Sequence, residues 1–405
     1  MCCSTNTSSS DVEEEPSPLA TTLSDPKQSF TAKYEAARLY IDSLAKPVGS
    51  LGTLEDWGAR MAALQQTPTP KADVAACLIF AADHGVAKDK TEGGRNCSAY
   101  PQAVSRKVLE ALDHGIAGAS VLSKCNNVQL RVIDVGLAED GIVNYEWSGN
   151  VVRSATSRIK GGTANFCTGN AMTEGEVNMC IAVGRDETSK MIDEMDADVI
   201  MFGEVGIGNT TTASALIAAL TGANVATVCG SGASITRDGI NDEIVARKID
   251  IIKEALQFHR NTSSSLLGNN PIQALSAVGG AEICSMVGGM MEASKREVAI
   301  LVDGFIVTTA AMIACMIDPL VCRVLLFSTK STEKGQMIAI ESITKMATAN
   351  SIPVDGFVVK PALDMGLRMG EASGCITSVP LLRSACAIVS SLATLNDVLS
   401  LEMGK

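Results

Sequence analysis

The chain has 405 residues with 45 acidic against 33 basic side chains, and its formal charge of −12 all but excludes a protein that binds the phosphate backbone of nucleic acid. Apolar residues make up 46% of the sequence and aromatic residues only 3%, while glycine occurs 35 times. The core must therefore be filled by small aliphatic side chains, which favours helices packed closely on a sheet.

Cysteine usage indicates reduced thiols rather than disulfides or a zinc site. There are 13 cysteines, an odd number, with no CxxC pair and only 3 histidines. Six lie in apolar runs, where a reduced thiol packs as a small hydrophobic side chain: Cys77, Cys180, Cys229, Cys284, Cys315 and Cys386. The N-terminus lacks the pattern of a secretory signal or transit peptide. We therefore expect a cytoplasmic protein.

Residues 1–28 are predicted to form a disordered acidic tail. They are rich in Ser, Thr, Asp, Glu and Pro and have almost no apolar periodicity. The adjacent Cys2 and Cys3 are candidates for palmitoylation, although an unmodified tail is the simpler interpretation. Regular structure is predicted to begin near Phe30.

A helical segment is predicted over residues 29–70. Apolar and small residues can share one helical face from Thr31 to Leu44, and Pro47 ends that run. A second helix is predicted over about 53–65, ending before Pro68. We expect this segment to form a small helical subdomain with the C-terminal segment, residues 376–405.

Residues 71–375 are predicted to form an α/β catalytic domain, because short apolar runs alternate with amphipathic helices. The candidate strands are 74–81, 128–134, 198–203, 225–229, 297–302, 321–327 and 354–359. The last two helices are predicted over 360–373 and 377–399. The expected fold class is α/β, a Rossmann-like, doubly wound, mostly parallel sheet flanked by helices, with ligands beyond the carboxyl ends of the strands.

Residues 298–317 form a mostly apolar stretch of a length that could suggest a membrane span. Asp303 and Gly304 interrupt it, and a charged residue inside a membrane helix costs about 2.5 to 3.5 kcal/mol. The better interpretation is a buried strand, a turn and a buried helix, so no transmembrane segment is predicted here.

The strongest local indication of a ligand is the segment DVIMFGEVGIGNTTTASAL at 198–216. An apolar strand precedes Glu204, the loop from Gly206 through Gly208 and Asn209, and a helix that opens at Thr210. Backbone N–H groups in such a loop can bind a phosphate. The alternative is a glycine turn without a ligand, but a carboxylate beside an anion loop favours a ligand that also brings positive charge.

Two weaker patterns accompany this loop. Gly230 and Gly232 form a second glycine turn before a helix that carries Lys248, which suits a sugar phosphate held between two loops. A solvated Arg-Lys pair on that helix is the alternative. Asp83 and His84 follow the first predicted strand, where His84 could act as an acid or base. A hydrogen-bonding or structural role is preferred for this pair.

The segment LDMGLRMGEASGC at 363–375 places Arg368 and Glu371 three residues apart, nearly on one face of the predicted helix. The small neighbours Gly370 and Ala372 leave room for burial of Glu371, which would raise the pKa of its carboxyl group and suit a general base. A surface ion pair is the alternative.

Six segments in one order along the chain resemble the nicotinate-nucleotide:dimethylbenzimidazole phosphoribosyltransferase family. They are KPVGSLGTLE at 46–55, ADHGV at 82–86, GEVGIGNTT at 203–211, GGAEI at 279–283, DGFI at 303–306 and LDMGLRMGEASG at 363–374. Together they are far more specific than any single glycine loop.

The resemblance implies transfer of ribose 5-phosphate from nicotinate mononucleotide to dimethylbenzimidazole, giving nicotinate and α-ribazole 5′-phosphate for the lower ligand of cobalamin. It implies Glu371 as the general base and Glu204 as the group that stabilises or orients C1′. No cofactor and no metal are implied, and the expected assembly is a homodimer with the helical terminal segments at its interface. The implied substrate-binding residues are Gly206, Gly208, Asn209, Thr210, Gly230, Gly232, Lys248, Asp303, Ser331 and Arg368, with Ser98 and Gln102 lining a partly apolar base pocket.

The chain departs from the family pattern at two places. Ser231 stands where an Arg is usual, and Thr329 and Gln336 replace two histidines. One alternative is therefore a protein that binds the nucleotide or the base without turnover. A Rossmann-type dehydrogenase is a further alternative, disfavoured by the incomplete glycine fingerprint. We expect catalysis because both glutamates and the anion loop are present.

Overall fold

A computed structural model describes residues 18–88, 97–138, 151–230, 232, 242–262, 270–354 and 360–401, and the backbone of 235–236 and 239–240. The helices are α1 (Pro18–Ser24), α2 (Phe30–Ser43), α3 (Thr53–Gln65), α4 (Val104–Asp113), α5 (Gly118–Cys125), α6 (Glu174–Met195), α7 (Asn209–Thr221), α8 (Val225–Val228), α9 (Asp242–Thr262), α10 (Pro271–Val278), α11 (Ala281–Lys295), α12 (Phe305–Ile317), α13 (Gly335–Ala349), α14 (Ser373–Ser391) and α15 (Leu395–Leu399). The strands are β1 (Ala75–Ala82), β2 (Val128–Gly136), β3 (Val152–Ser154), β4 (Val199–Val205), β5 (Ile235–Thr236), β6 (Gly239–Ile240), β7 (Ala299–Val302) and β8 (Leu325–Phe327).

Six strands form one parallel sheet in the order β3-β2-β1-β4-β7-β8, and β5 and β6 form a separate antiparallel pair. Numbered within the sheet, the order is 3-2-1-4-5-6, which is the doubly wound Rossmann order. The predicted fold class is confirmed. In this topology the strand order reverses between β1 and β4, so a ligand crevice is expected beyond Ala82 and Val205.

Helices cover the sheet closely. Every residue of β1 and of β4 is buried. Helix α11 packs on β1, β2, β4 and β7, and α14 packs on β4 and β7. Where α6 crosses α11, Gly184 and Gly288 each lie against the backbone of the other helix and leave no room for a side chain. Small residues thus replace aromatic bulk in this core, as the composition predicts.

A second, smaller core joins α1, α2, α3 and α14 through side chains such as Ile41 and Val389. Part of the predicted tail belongs to it. Helix α1 lies within residues 1–28, and its Leu19 and Leu23, one helical turn apart, are buried. The expectation of disorder is therefore wrong for 18–24, while 1–17 lie outside the described residues. The predicted helix over 377–399 is divided between α14 and α15.

Two predicted strands are corrected by local capping. Residues 225–229 contain α8 instead, because the Asn224 side chain accepts a hydrogen bond from Ala226 N at 2.9 Å. The first half of 321–327 belongs to a 3-10 helix, Pro319–Arg323, capped by Asp318, so only β8 is extended. The short edge strand β3 was not predicted, and 355–359 of the last candidate strand lie outside the described residues.

The apolar stretch 298–317 folds as predicted into β7, a turn at Asp303-Gly304 and the buried helix α12. Among the described helices, only α14 is long and apolar enough to cross a membrane by length and composition. Helix α14 packs on α3 and the sheet, and more than half of it is buried.

Candidate active site

A cavity of about 250 Å³ opens beyond the carboxyl ends of β4 and β7. Loops after β4, β7 and β8, the segment before α14, and side chains of α4 and α9 form its wall. Most of the sequence-predicted site residues line it: Ser98, Glu204, Gly206, Gly208, Asn209, Thr210, Gly232, Lys248, Asp303, Ser331, Arg368 and Glu371. The tertiary structure thus brings together residues that are up to 273 positions apart, from Ser98 to Glu371.

Two of the predicted site residues, Gln102 and Gly230, contact other protein groups and do not line the cavity. Gln102 Nε2 donates a hydrogen bond to the His84 carbonyl at 3.0 Å. Gly230 packs against the Glu333 carboxylate. Neither Gln102 nor Gly230 is among the residues that line the cavity: Gln102 bonds to the loop after β1, and Gly230 lies behind Glu333, which does line it.

The first glycine loop forms one end of the cavity. Gly208 has φ of 104°, a left-handed conformation that glycine adopts most easily, and α7 begins at the next residue. Asn209 Nδ2 donates to Glu204, and Asn209 Oδ1 accepts from Thr210 N at 2.7 Å. Lys248 Nζ lies 3.1 Å from Thr210 Oγ1. A lysine and a helix amino end therefore face the same space, an arrangement that attracts anions.

The second glycine turn lies beside the first, which agrees with a sugar phosphate held between two loops. Gly232 lies against Lys248 Nζ and Thr210 Oγ1. Gly232 N donates to Glu333 Oε1 at 2.7 Å. Glu333 was not predicted as a site residue, although it lies between Thr329 and Gln336, which replace two histidines of the family pattern. Its spacing gave no indication that it holds a distant backbone N–H group.

Of the carboxyl groups that line the cavity, those of Glu204, Asp303 and Glu371 have pKa values that burial raises. Burial raises the pKa of Glu204 well above its ordinary value, and the carboxyl groups of Glu282, Asp303 and Glu371 raise it further, while its bond from Asn209 opposes them. Burial raises the pKa of Asp303 to about 7 against its bonds from Cys375 N and Gly374 N. Burial thus shifts each of these groups toward its neutral form.

The segment that carries Glu371 is a loop, which corrects the predicted helix over 360–373. Gly366, Glu371 and Ala372 have φ of 66°, 58° and 60°, all in the left-handed region, and α14 starts only at Ser373. Lys330 N donates to the Leu363 carbonyl at 2.8 Å, which ties this segment to the residues after β8. The prediction that Arg368 and Glu371 share one face of a helix is therefore wrong.

Glu371 nevertheless has the predicted surroundings. Its Oε2 accepts a hydrogen bond from Ala119 N at 3.3 Å. Burial raises the pKa of its carboxyl group despite that bond. The prediction of a desolvated glutamate is confirmed, although the loop and α5 desolvate it rather than a helix face.

The Asp83-His84 pair lies beneath the glycine loop, not among the cavity-lining residues. His84 Nδ1 is 2.9 Å from Thr212 Oγ1, and His84 Nε2 is 2.9 Å from Glu282 Oε1. Burial lowers the pKa of His84, but the Glu282 carboxylate outweighs it and the net pKa is raised. These contacts favour the structural role. Glu282 belongs to the segment GGAEI at 279–283, but nothing in the sequence pattern indicates that His84 is its partner.

Asp83 supports the same loop through a serine. Asp83 Oδ1 accepts from Ser105 Oγ at 2.6 Å, and Ser105 Oγ accepts from Ile207 N at 3.1 Å. Burial raises the pKa of Asp83 to about 6, against its bonds from Ser105 and Ala138. Ser105 also lines the cavity and was missed, because no local pattern marks a serine that bridges two loops.

An apolar wall adjoins the carboxyl groups and agrees with the expected partly apolar base pocket. Its members are Val104, Val108, Ile207, Leu367 and Met369. Ser98, the polar residue predicted for the base pocket, also lines the cavity. Among the described residues, no group of three or more His, Cys, Asp or Glu side chains is arranged to hold a metal ion.

The structure describes only one of the two places at which the chain departs from the family pattern. Ser231 lies outside the described residues. Thr329 and Gln336, which replace the two histidines, are buried, and Thr329 lines the cavity. The loop between them carries Ser331 into the cavity wall.

Known proteins resemble this chain over nearly its whole length. A phosphoribosyltransferase family model matches residues 27–398. A nicotinate-nucleotide–dimethylbenzimidazole phosphoribosyltransferase from a Bradyrhizobium species is 37% identical over 361 residues, covering 89% of this chain and 92% of the relative. One of the same description from Pseudomonas putida is 35% identical over 364 residues, covering 90% and 93%.

Solved structures agree with the sequence relatives. The crystal structure of CobT from Thermus thermophilus has a TM-score of 0.75 and 30% identity, and the match covers 91% of this chain and 99% of that one. A second Thermus thermophilus structure, described as the same phosphoribosyltransferase, has a TM-score of 0.75 and 29% identity, with 91% and 98% covered. The chain belongs to the nicotinate-nucleotide–dimethylbenzimidazole phosphoribosyltransferase family.

Proposed function

We propose that the protein is a glycosyltransferase that moves the 5-phosphoribosyl group from nicotinate mononucleotide to 5,6-dimethylbenzimidazole. The products are α-ribazole 5′-phosphate, the lower-ligand nucleotide of cobalamin, and nicotinate. One observation carries the proposal: Lys248 and the glycine loop form one end of the cavity that Glu204, Asp303 and Glu371 also line. This polarity complements a nucleotide with an anionic phosphate and a cationic pyridinium ring.

The phosphate end of the donor is assigned to the two glycine turns. Gly206, Gly208 and Thr210 present loop and helix-start backbone, and Lys248 supplies the positive charge. Ser331 and Arg368 line the cavity and are assigned to the ribose phosphate or the leaving nicotinate. Asn209 orients Glu204 through its donated hydrogen bond.

Bond cleavage at C1′ requires no acid. The glycosidic electron pair moves onto the pyridinium nitrogen, and nicotinate leaves with a neutral ring. C1′ gains positive charge in the transition state, and this charge favours the ionised form of the buried Glu204 carboxyl group over the neutral one. Glu204 therefore serves as the group that stabilises or orients C1′.

Bond formation releases one proton. A benzimidazole nitrogen attacks C1′ with its lone pair, and the proton on the other ring nitrogen must leave. Glu371 accepts that proton, because burial raises the pKa of its carboxyl group toward the range in which a general base is effective. The apolar wall and Ser98 hold the acceptor base.

The direct test incubates the purified protein with nicotinate mononucleotide and dimethylbenzimidazole and separates the products by chromatography. α-Ribazole 5′-phosphate and nicotinate should form in equal amounts. Binding of either compound without product would instead identify a non-catalytic binding protein. Turnover with a nicotinamide dinucleotide and no phosphoribosyl product would favour a dehydrogenase.

We further propose a homodimer that joins through α2 and α15. Leu39 and Leu399 are 72% and 73% exposed, and α15 has no buried residue. The two helices lie near each other because Ala45 N donates to the Ala393 carbonyl at 2.9 Å. Large apolar side chains exposed on both terminal helical segments support an interaction site there. Light scattering should give twice the chain mass, and a monomer mass would contradict the assignment.

We also infer a cytoplasmic, reducing location. The six cysteines in apolar runs are all buried and pack as small hydrophobic side chains. Fractionation of cells that express the full chain should place it with cytosolic markers. Recovery in the membrane fraction would overturn the inference and direct attention to Cys2 and Cys3.

A further inference from the structure

The loop between β8 and α13 contributes Thr329, Ser331, Thr332 and Glu333 to the cavity wall, although it has no regular secondary structure. A ligand site on such a loop needs internal anchors to keep its geometry. The anchor here is Gln336, which the reaction proposed above does not use.

Gln336 lies in the first turn of α13 and has no exposed surface. Its Oε1 accepts a hydrogen bond from Ser331 N at 2.7 Å. Its Nε2 donates to the Thr329 carbonyl at 2.9 Å and to Thr308 Oγ1 at 3.3 Å. One amide therefore connects two residues of the cavity loop with α12.

The connection continues to the second glycine turn. Ser331 Oγ accepts from Glu333 N at 3.1 Å, and Glu333 Oε1 accepts from Gly232 N at 2.7 Å. Gly232 in turn lies against Lys248 Nζ. A continuous line of hydrogen bonds thus runs from Thr308 through Gln336 to the phosphate end of the cavity.

An amide suits this position chemically. It offers an acceptor and two donors at once and does not change charge with pH. The Gln336 amide makes all three of these hydrogen bonds, and a buried amide whose groups are paired in this way holds its neighbours in one geometry. Ser331 is therefore held by a group whose state is the same at every pH at which the protein is folded.

We propose that Gln336 is a positioning residue that holds Ser331 for the phosphoribosyl donor. The inference rests on the proposed function for the identity of that donor. Gln336 acts through Ser331 and the adjoining loop and lies behind the atoms that react. Its removal therefore weakens donor binding much more than it slows the chemical step.

The test compares Gln336→Met, which keeps the side-chain volume and removes all three hydrogen bonds, with Gln336→Glu, which keeps the acceptor for Ser331 N. For Gln336→Met, we expect both the calorimetric Kd and the KM for nicotinate mononucleotide to rise about tenfold, with kcat changed less than about threefold. Gln336→Glu should recover part of that affinity only at acidic pH, where the protonated carboxyl group can still donate to the Thr329 carbonyl. Gln129→Met, at an exposed position on β2, is the matched control and should bind as the native protein does.

A double-variant cycle with Ser331→Ala tests whether Gln336 acts through Ser331. The two losses of affinity should combine to much less than their product, because the second change disturbs a contact that the first has already removed. Multiplicative losses, or a fall in Tm with unchanged donor affinity in both Gln336 variants, would overturn the proposal.

The failure of this inference is distinguishable from the failure of the proposed function. If the native protein binds nicotinate mononucleotide without turnover, the proposed function is wrong, and the Kd series still decides the role of Gln336. If turnover is normal and the Gln336 variants keep native affinity, only the inference is wrong. If the native protein does not bind the donor, both are overturned.

Discussion

Glu371 lies at the amino end of α5, where its Oε2 accepts a hydrogen bond from Ala119 N at 3.3 Å. The two residues are 252 positions apart in the chain. The hydrogen bond at the helix end favours the carboxylate, whereas burial favours the neutral acid. Burial has the larger effect, so the net pKa of Glu371 is raised. The Glu371 carboxyl group can therefore accept a proton while its hydrogen bond from Ala119 N keeps it in position.

Glu371→Gln should lower kcat about a hundred- to ten-thousand-fold, because the amide cannot accept the benzimidazole proton. Donor affinity should stay within about threefold, since the amide oxygen can still accept from Ala119 N. Steady-state kinetics and calorimetry measure the two effects. Glu341→Gln, at an exposed site on α13, is the control, and equal activity of the two variants would remove Glu371 from its role.

The pH profile should have an acidic limb that belongs to Glu371. The base must be ionised, so kcat/KM falls as pH falls through its pKa, and burial moves that limb above the pH at which an exposed glutamate titrates. The profile is measured for the native protein and corrected for protonation of dimethylbenzimidazole in solution. The residual rate of Glu371→Gln should lack this limb, and its persistence would assign the limb to another group.

Lys248→Met should raise the KM for nicotinate mononucleotide about 10- to 100-fold, since a charge-assisted hydrogen bond contributes about 1.5 to 3 kcal/mol. Lys248 is buried, and its Nζ lies 3.1 Å from Thr210 Oγ1 at the anion end of the cavity. Lys253→Met changes an exposed lysine of the same helix and should leave KM unchanged. Similar KM values for both variants would contradict a phosphate site at Lys248.

Asp303 should make the protein less stable as pH rises. Its pKa is about 7 when folded, above the value of about 3.9 expected when unfolded, so its contribution is full below the unfolded pKa and is lost as pH rises through the folded pKa. The loss is on the order of 4 kcal/mol at most. Asp303→Asn cannot ionise and keeps an acceptor for Gly374 N, so its unfolding free energy should fall less.

Urea unfolding between about pH 5 and pH 8 measures that difference. Asp83, whose pKa is also raised, contributes equally to both proteins and cancels in the comparison. Asp250→Asn, at an exposed position, should follow the native curve. Parallel curves for the native protein and Asp303→Asn would contradict the assignment.

His84→Ala should destabilise the fold by about 3 to 5 kcal/mol, because it leaves the buried Glu282 carboxyl group without its partner. The double variant with Glu282→Ala should lose less than the sum of the single losses, as expected for a coupled pair. Urea unfolding of the three variants gives the coupling. Additive losses would show that the two side chains are independent in solution.

Local patterns in the sequence determined the fold class and much of the candidate site. The apolar runs of β1 and β4 are continuous because both faces of these strands are covered, and each run ends in polar or glycine residues at the ligand-facing edge. Glu204 and the Gly206–Gly208 loop could therefore be assigned to a site from their place after a strand. The strand predicted over 225–229 was wrong, because the Asn224 side chain caps a short helix whose residues include β-branched Val and Thr.

Only the tertiary structure decided how the site is held. The predicted helix around Glu371 became a loop with left-handed residues, because pairing of Leu363 with the residues after β8 and contact with α5 outweigh local helix propensity. The pairing of His84 with Glu282 and that of Gln336 with Ser331 could not be predicted from the sequence, for two different reasons. The first joins segments nearly 200 residues apart, and the second depends on a loop geometry that no periodicity encodes. The chemistry-bearing residues could be named from the sequence, whereas their burial, and with it their proton affinity, is set by the segments that fold over them.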